Sequence, residues 1–257
     1  MMLCETGKIN DVEKYHLKWF GNRKLDGVRC FAYCDEQIKL IGRSGSDYTS
    51  KFPEIVEGLK GFKGILDGEI ACIDFDKTAS RVHTENKLKS KILINKYPAV
   101  FHIFDILNLN GEDFKQKSLI ERVKTLNGLI FQTNSIELVK YTTDLINLWE
   151  TAKQENWEGI VIKNPISTYS DKRSWNWIKI KKEITKDITA ISYEINPAGI
   201  RIESSEGLAC QISGLNSNLV KNEIDKTGSC LIEVKGMEET ANGKIRMIVF
   251  KSIKNGE

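Results

Sequence analysis

The pattern of hydrophobic residues changes after Lys182, and this change most constrains how the chain can fold. Before it, apolar runs typical of strands alternate with segments whose apolar residues recur at helical spacing. From Ile184 to Ile253 the chain has short β-rich runs separated by turns such as Asn196-Pro197-Ala198-Gly199 and Asn242-Gly243. We therefore place a boundary near residues 183–187. We expect a mixed α/β domain over residues 1–183 and a small all-β domain over 184–257.

The elements of the two domains can be predicted in outline. In the first, strands are expected at Val28–Tyr33, Ile38–Ile41, Ile65–Ile73, Ala99–Leu107, Gly159–Lys163 and Trp177–Ile180. Helices are expected at Pro53–Leu59, after the capping box Ser118-Leu119-Ile120-Glu121, from Asp144 to about Glu155, and in part of the basic segment 80–96. In the second domain, five short strands and one weak helix between Ser217 and Lys226 suit a small OB-type barrel.

The composition is that of a globular intracellular chain. Of the 257 residues, 40% are hydrophobic and 28% are charged, and no apolar run approaches the length of a membrane span. The first residues lack the basic and apolar pattern of a signal peptide. Six scattered cysteines without a Cys-x-x-Cys pair are expected to be reduced thiols. These features predict a cytoplasmic protein, from a bacterial cell or a virus-infected one, with no membrane partner.

The hexapeptide Lys24-Leu25-Asp26-Gly27-Val28-Arg29 is the best candidate for chemistry. A neutral lysine amine is a covalent nucleophile, Asp26-Gly27 favours a turn, and Arg29 could face a phosphate or a sugar. A hairpin with ordinary surface charges is the preferred explanation when the hexapeptide is taken alone. The decision rests on whether other segments supply a nucleotide pocket.

Several later segments could supply that pocket, although each has a plainer explanation. Arg43 lies in a turn, Glu69 lies in an apolar strand, and Phe104 is either a base-stacking platform or a core aromatic. Glu158 and Lys163 bracket a buried strand and could be solubilising ends. Lysines alternate with an apolar residue in Lys179-Ile180-Lys181. This segment belongs to a basic stretch (172–186) that either contacts phosphate or keeps an exposed strand edge from pairing with another chain.

Taken together, these segments resemble, in order and spacing, the nucleotidyltransferase motifs of ATP-dependent DNA ligases, especially the minimal two-domain enzymes. The matching segments are Lys24–Arg29, Arg43–Gly45, Leu66–Ile70, Phe101–Leu107, Glu158–Lys163 and Trp177–Lys181. The segment from Tyr169 to Lys181 is more similar to ligases than to mRNA capping enzymes. Residues 246–254 are similar to the final motif of the ligase OB domain. The resemblance implies a nucleotidyltransferase domain of ATP-grasp-like type followed by an OB-fold barrel.

The resemblance also implies a role for each matching residue. Lys24 would attack the α-phosphorus of ATP and form a lysyl-AMP phosphoramidate, which then passes AMP to the 5′-phosphate of a nick in duplex DNA. The nucleotide would be bound by Asn22, Arg23, Arg29, Arg43, Glu69, Phe104, Lys163, Lys179 and Lys181. Glu158, with Glu69, would hold Mg²⁺, for which Mn²⁺ could substitute. Arg43, Arg173 and Arg246 would contact DNA or pyrophosphate.

Departures from the family pattern limit two of these expectations. Asn22 and Arg23 stand where other residues are common in the family, so the expectation of adenine specificity rests on other positions than these two. Ile248 and Lys254 differ from the usual final motif, so Arg246 is the residue carried over there. We expect neither a long hairpin that latches around DNA nor a separate N-terminal DNA-binding domain. DNA binding by a monomer through its basic faces is therefore expected.

Two other readings remain open. One is an RNA ligase or a capping-type nucleotidyltransferase, which shares the covalent lysine chemistry. The other is a non-catalytic OB-containing protein that binds nucleic acid, which would form no covalent nucleotide on Lys24.

Overall fold

Two units make up the chain, Met1–Ile180 and Lys181–Glu257. The computed structural model describes residues 1–237, 245 and 247–254. None of the described helices is long and apolar enough to cross a membrane.

The first unit contains ten strands, six α-helices and one short 3-10 helix (Thr49–Lys51) among its described residues. The strands are β1 (Leu3–Thr6), β2 (Phe20–Arg23), β3 (Val28–Cys34), β4 (Ile38–Gly42), β5 (Gly64–Ala71), β6 (Val100–Leu109), β7 (Glu112–Asp113), β8 (Ile136–Leu138), β9 (Gly159–Lys163) and β10 (Arg173–Lys181). The helices are α1 (Asn10–Tyr15), α2 (Pro53–Gly58), α3 (Phe75–His83), α4 (Lys87–Lys96), α5 (Leu119–Asn127) and α6 (Leu145–Gln154). The predicted capping box is confirmed at α5, where the Glu121 carboxylate accepts a hydrogen bond from the Ser118 N–H at 2.9 Å.

Ten strands form two sheets in this unit. The first sheet has the order β1-β10-β9-β2, with β1 parallel to β10 and β2 antiparallel to β9. The second has the order β4-β3-β5-β6-β7, with β8 added in parallel to β6. Each sheet therefore brings together segments that are distant in sequence.

Apolar side chains cover both faces of the two sheets. A cluster that includes Met2, Phe31, Phe104 and Trp177 joins residues from both sheets, so the sheets pack face to face. On its other side the first sheet packs against α1 and α6, and the second packs against α2 and α5. Because side chains alternate along each strand, every second residue of β3, β5 and β10 faces the space between the two sheets.

The second unit is built from one antiparallel sheet and one helix among its described residues. The sheet has the order β13-β12-β11-β14-β15, formed by β11 (Ile184–Asn196), β12 (Gly199–Ser204), β13 (Ala209–Ile212), β14 (Cys230–Gly236) and β15 (Val249–Ile253). The helix α7 (Leu215–Thr227) buries Val220 and Ile224 in the core of the sheet. The edge strands β13 and β15 approach each other, so the sheet is strongly curled.

Candidate active site

Lys24 lies where the chain crosses from one sheet to the other. It follows β2, the edge of the first sheet, and precedes β3 of the second sheet. The hairpin reading of this segment is therefore wrong, because the flanking strands do not pair. Gly27 allows the crossing, since a Cβ there would lie 2.2 Å from the backbone oxygen of Ile70.

The amine of Lys24 is paired with a carboxylate. The backbone N–H of Lys24 donates to the oxygen of Gly159 at 2.9 Å, which extends the pairing of β2 with β9 by one residue. This register sets the Lys24 ammonium against the carboxylate of Glu158, with which it forms an ion pair. The Glu158 side chain is only 7% exposed and that of Lys24 is 21% exposed, so the pair sits at the mouth of the inter-sheet space.

The second sheet supplies the opposite wall. Arg29 on β3 lies directly across from Glu69 on β5. Its guanidinium makes two hydrogen bonds to the buried carboxylate of Asp67, at 2.6 and 2.7 Å, and Tyr169 donates a third to the same carboxylate at 2.7 Å. Arg29, Glu69 and Arg43 line one cavity of about 450 Å³.

The charges of this wall influence each other strongly. Burial opposes the charge on Arg29, but Asp67, Tyr169 and Glu69 together outweigh burial and raise the pKa of the guanidinium. Burial raises the pKa of Glu69 from 4.5 to about 7, against the opposing effects of Arg29 and Lys24. Glu158 and Asp67 raise the pKa of Glu69 further, so the four residues that act on Glu69 all belong to the candidate site.

The raised pKa of Glu69 predicts a pH-dependent difference in stability. Because the folded-state value is above the unfolded value, the folded protein binds the extra proton, and stability falls as the pH rises from about 4.5 to 7. Relative to a Glu69→Gln variant, the wild-type free energy of unfolding should drop by about 2–3 kcal/mol between pH 4.5 and 8, as each pKa unit corresponds to about 1.4 kcal/mol. Urea unfolding at several pH values measures this. Glu36→Gln, at an exposed position, should show no such trend, and parallel curves for wild type and Glu69→Gln would contradict the prediction.

A buried lysine lies deeper between the sheets. Lys163 ends β9, is 2% exposed, and donates to the Tyr141 hydroxyl at 2.6 Å. Its ammonium lies 4.3 Å from the ring centroid of Phe104 and 4.1 Å from that of Trp177. Burial lowers the pKa of Lys163 to about 7, although Asp105 acts in the opposite direction. Burial therefore favours the neutral amine of Lys163 far more than in an exposed lysine.

Phe104, the predicted base platform, is buried and already contacts cations. Besides Lys163, the Arg29 guanidinium lies 4.5 Å from its ring centroid, and Trp177 meets the ring edge-on at 6.0 Å. Cations favour the faces of aromatic rings, so these contacts stabilise both the ring and the charges.

The thiol of Cys4 is buried close enough to several of these cations to be influenced by their charge. Burial raises its pKa, while Lys163, Arg29, Lys179 and Lys24 all act to lower it. Coulombic effects weaken with distance, so these four cations lie within electrostatic range of this sulfur. Strand β1 brings Cys4 there by pairing in parallel with β10.

Two predicted nucleotide-binding residues lie on opposite faces of β2. Asn22 is 3% exposed, and its amide donates to the Arg23 oxygen at 2.7 Å. Its Oδ1 is buried without a hydrogen-bond partner, which is unusual and costly. The Arg23 guanidinium instead lies 5.1 Å from the ring centroid of Trp157, away from the face of Asn22.

Two further predicted residues have other contacts among the residues that the structure describes. Arg173 is exposed at the start of β10, where it donates to the Cys4 oxygen. Lys181, at the end of β10, belongs to the second unit and donates to the Met237 sulfur at 3.5 Å. Arg246 lies outside the described residues.

Sequence reasoning gave no role to four residues that shape this site: Asp67, Tyr141, Tyr169 and Trp177. The signal for Asp67 was present, because it shares the strand face of Glu69 two residues away. The tyrosines carried no local signal, since their partners are more than twenty residues distant.

Comparisons with known proteins show the family of the chain. The sequence profile of the family described as ATP dependent DNA ligase domain matches residues 1–181. The chain belongs to this family. A DNA ligase of Pyrobaculum islandicum is 29% identical over 181 residues, which is 64% of this chain and 31% of that protein. The chain thus spans about a third of the length of such archaeal relatives.

A second relative matches this chain over most of the length of both proteins. The SPbeta prophage-derived DNA ligase-like protein LigB of Bacillus subtilis is 27% identical over 251 residues, covering 89% of this chain and 90% of LigB. Among solved structures, one reported as a structure-function analysis of Lig E DNA ligases has a TM-score of 0.71 at 19% identity, with 99% of each chain covered. A mycobacterial DNA ligase D complexed with ATP and MES has a TM-score of 0.62 at 19% identity, covering 100% of this chain and 95% of that one. The ligase-family chain therefore shares their fold.

Proposed function

We propose that the protein is an ATP-dependent DNA ligase that seals nicks bearing a 5′-phosphate and a 3′-hydroxyl. The observation that carries this proposal is the Lys24–Glu158 ion pair beside a cavity lined by Arg29, Arg43 and Glu69, in a member of the ligase family. A lysine that is held among nucleotide-binding groups has the position that a covalent nucleophile requires.

In the first step, the Lys24 nitrogen attacks the α-phosphorus of ATP. A phosphorus–nitrogen bond forms, the bond from the α-phosphorus to the bridging oxygen breaks, and pyrophosphate leaves. The amine must lose protons during this step, and Glu158 is positioned to accept one because its carboxylate contacts Nζ. Lys179 would bind the α-phosphate, and Arg29 and Glu69 the ribose.

The carboxylates of Glu158 and Glu69 fit a magnesium ion. No cluster of three metal-ligating side chains is found in the described part of the chain. Magnesium, however, is commonly bound by one or two carboxylates together with substrate phosphates. The charge of Glu158 raises the pKa of Glu69, and the Glu158 carboxylate pairs with the attacking amine. A bound Mg²⁺ there would neutralise phosphate charge, with Mn²⁺ as a substitute.

Asn22 provides a reason to favour adenine. One Nδ2 hydrogen is donated to the Arg23 oxygen, and the buried Oδ1, which can only accept a hydrogen bond, has no partner. The exocyclic amine of adenine would satisfy it, whereas the O6 of guanine would leave two acceptors facing each other. Phe104 would stack on the base once Lys163 moves off its ring.

The nicked duplex enters in the second and third steps. AMP passes from Lys24 to the 5′-phosphate, after which the 3′-hydroxyl attacks that phosphate, releases AMP and forms the phosphodiester. We infer that residues 184–257 form an OB-type domain, supported by the curled five-stranded sheet with one helix. Arg43, Arg173 and Arg246 would contact DNA or pyrophosphate, and Lys181 the nucleotide phosphates.

The test is a two-stage labelling experiment. The protein is incubated with Mg²⁺ and either α-labelled ATP or α-labelled GTP, and label on the denatured chain is measured. We expect labelling by ATP and not by GTP, and loss of that preference in Asn22→Leu. The adduct is then chased with nicked duplexes whose strands are DNA or RNA. Failure to label would refute the proposal, labelling by GTP would favour a capping-type enzyme, and transfer restricted to RNA nicks would favour an RNA ligase.

Binding of nicked DNA should depend strongly on salt. If basic faces provide the contacts, each neutralised phosphate releases counterions. With about six phosphate contacts, the dissociation constant should rise about a thousandfold between 50 and 200 mM salt. Fluorescence anisotropy with a labelled nicked duplex measures this. An affinity that stays constant over this range would rule out binding through basic faces.

A further inference from the structure

Helix α4 presents an apolar pair inside a ring of lysines. The helix has no buried residue, and Leu88 and Ile92 are 74% and 63% exposed. They are four residues apart and so adjoin each other on one face. Lysines occupy positions 87, 89, 91 and 96, and α4 contains no acidic residue.

The lysines lie on both sides of the apolar pair. At about 100° per residue, Lys87 and Lys91 fall on one side of it and Lys89 and Lys96 on the other. Among the described residues, none of these four lysines has an ion-pair partner. The nearby Glu85, which precedes the helix, pairs instead with Lys51 at 3.6 Å. The helix therefore exposes a positive surface with an apolar centre.

This arrangement suits binding to a protein better than binding to DNA or to a membrane. Protein interfaces have an apolar centre and a polar rim. Contact with DNA phosphates would use the lysines but would press Leu88 and Ile92 against charged groups. A membrane-bound helix has a broad apolar face, commonly with aromatic residues, which two aliphatic side chains do not provide.

We propose that α4 binds an acidic segment of a partner protein that carries two large apolar side chains one helical turn apart. Its carboxylates would face the lysines and its apolar side chains would cover Leu88 and Ile92. The helix is only about 15 Å long, so the contact is small and suits a reversible association. This inference goes beyond the proposed ligase activity and does not depend on it.

The test is a peptide selection followed by measured binding. Random twelve-residue peptides displayed on phage are selected on the immobilised full chain. We expect selected sequences to combine Asp or Glu with two large apolar residues three or four positions apart. Binding of the selected peptide is then measured by fluorescence anisotropy. We expect its affinity to fall at least tenfold in each of two double variants, Leu88→Ser/Ile92→Ser and Lys87→Glu/Lys91→Glu.

A matched control uses exposed apolar residues of other helices, in the double variant Ile120→Ser/Ile146→Ser, which should bind the peptide normally. Thermal melting checks that all variants fold. The proposal is overturned if no acidic and apolar consensus emerges, or if the α4 variants bind the peptide as wild type does. It is also overturned if the only effect of changing the four lysines to glutamine is weaker binding of nicked duplex. Binding to phosphatidylglycerol vesicles that requires Leu88 and Ile92, without a peptide consensus, would likewise overturn it.

Discussion

A Lys24→Arg variant is expected to form no covalent nucleotide, with labelling by α-labelled ATP reduced roughly 10³-fold or more. Arginine keeps the positive charge opposite Glu158 but cannot be deprotonated in a protein, so it has no nucleophilic nitrogen. The loss should therefore be in the chemical step, while the fold and the charge of the site are preserved. The measurement is label retained on the denatured chain after incubation with Mg²⁺ and ATP.

Lys39→Arg is the matched control. Lys39 lies exposed on β4, so this substitution makes the same change of side chain away from the site. It should label as wild type does. Both variants should melt at the wild-type temperature. A Lys24→Arg protein that still acquires label would show that another nucleophile carries the nucleotide, and Lys163 would be the first candidate because its pKa is about 7.

The parts of the fold that follow from local sequence were predictable. Helix α5 is encoded by its capping box, and strand β9 by an apolar run whose bounds the structure reproduces. Strands β1 and β2 were missed because each has only four residues and no clear alternation. Their positions depend on pairing with β10 and β9, which are more than 130 residues away. No local pattern reports that pairing.

The same distinction applies to the site. The resemblance to ligases picked out Lys24, Glu158, Arg29 and Glu69, and the structure places them around one opening. The electrostatic effects of burial and of neighbouring charges on these residues could not be predicted. The value of about 7 for the pKa of Glu69 arises from burial between sheets, and burial is a property of the assembled fold.

Among the residues on the β3 and β5 side of the site, Asp67 is expected to be the one whose loss most lowers the free energy of unfolding. Its carboxylate is fully buried, holds Arg29 through two hydrogen bonds, and accepts a third from Tyr169. Asp67→Ala would leave a largely buried guanidinium without its partner, which costs about 3–5 kcal/mol in comparable sites. Urea unfolding at pH 7 measures the change. Asp35→Ala, which removes an exposed partner of Lys63 at 3.6 Å, should cost less than about 1 kcal/mol.

A second substitution separates the unpaired charge from lost packing. If the charge of Arg29 is the cause, the double variant Asp67→Leu/Arg29→Met should be more stable than Asp67→Ala, since replacing both partners with apolar groups removes the uncompensated charge. That double variant should nevertheless bind ATP poorly in equilibrium dialysis, because the cavity has lost the guanidinium proposed to hold the ribose. If the double variant were less stable than Asp67→Ala, packing around Asp67 would be the stabilising factor. If it bound ATP normally, Arg29 would have no role in holding the nucleotide.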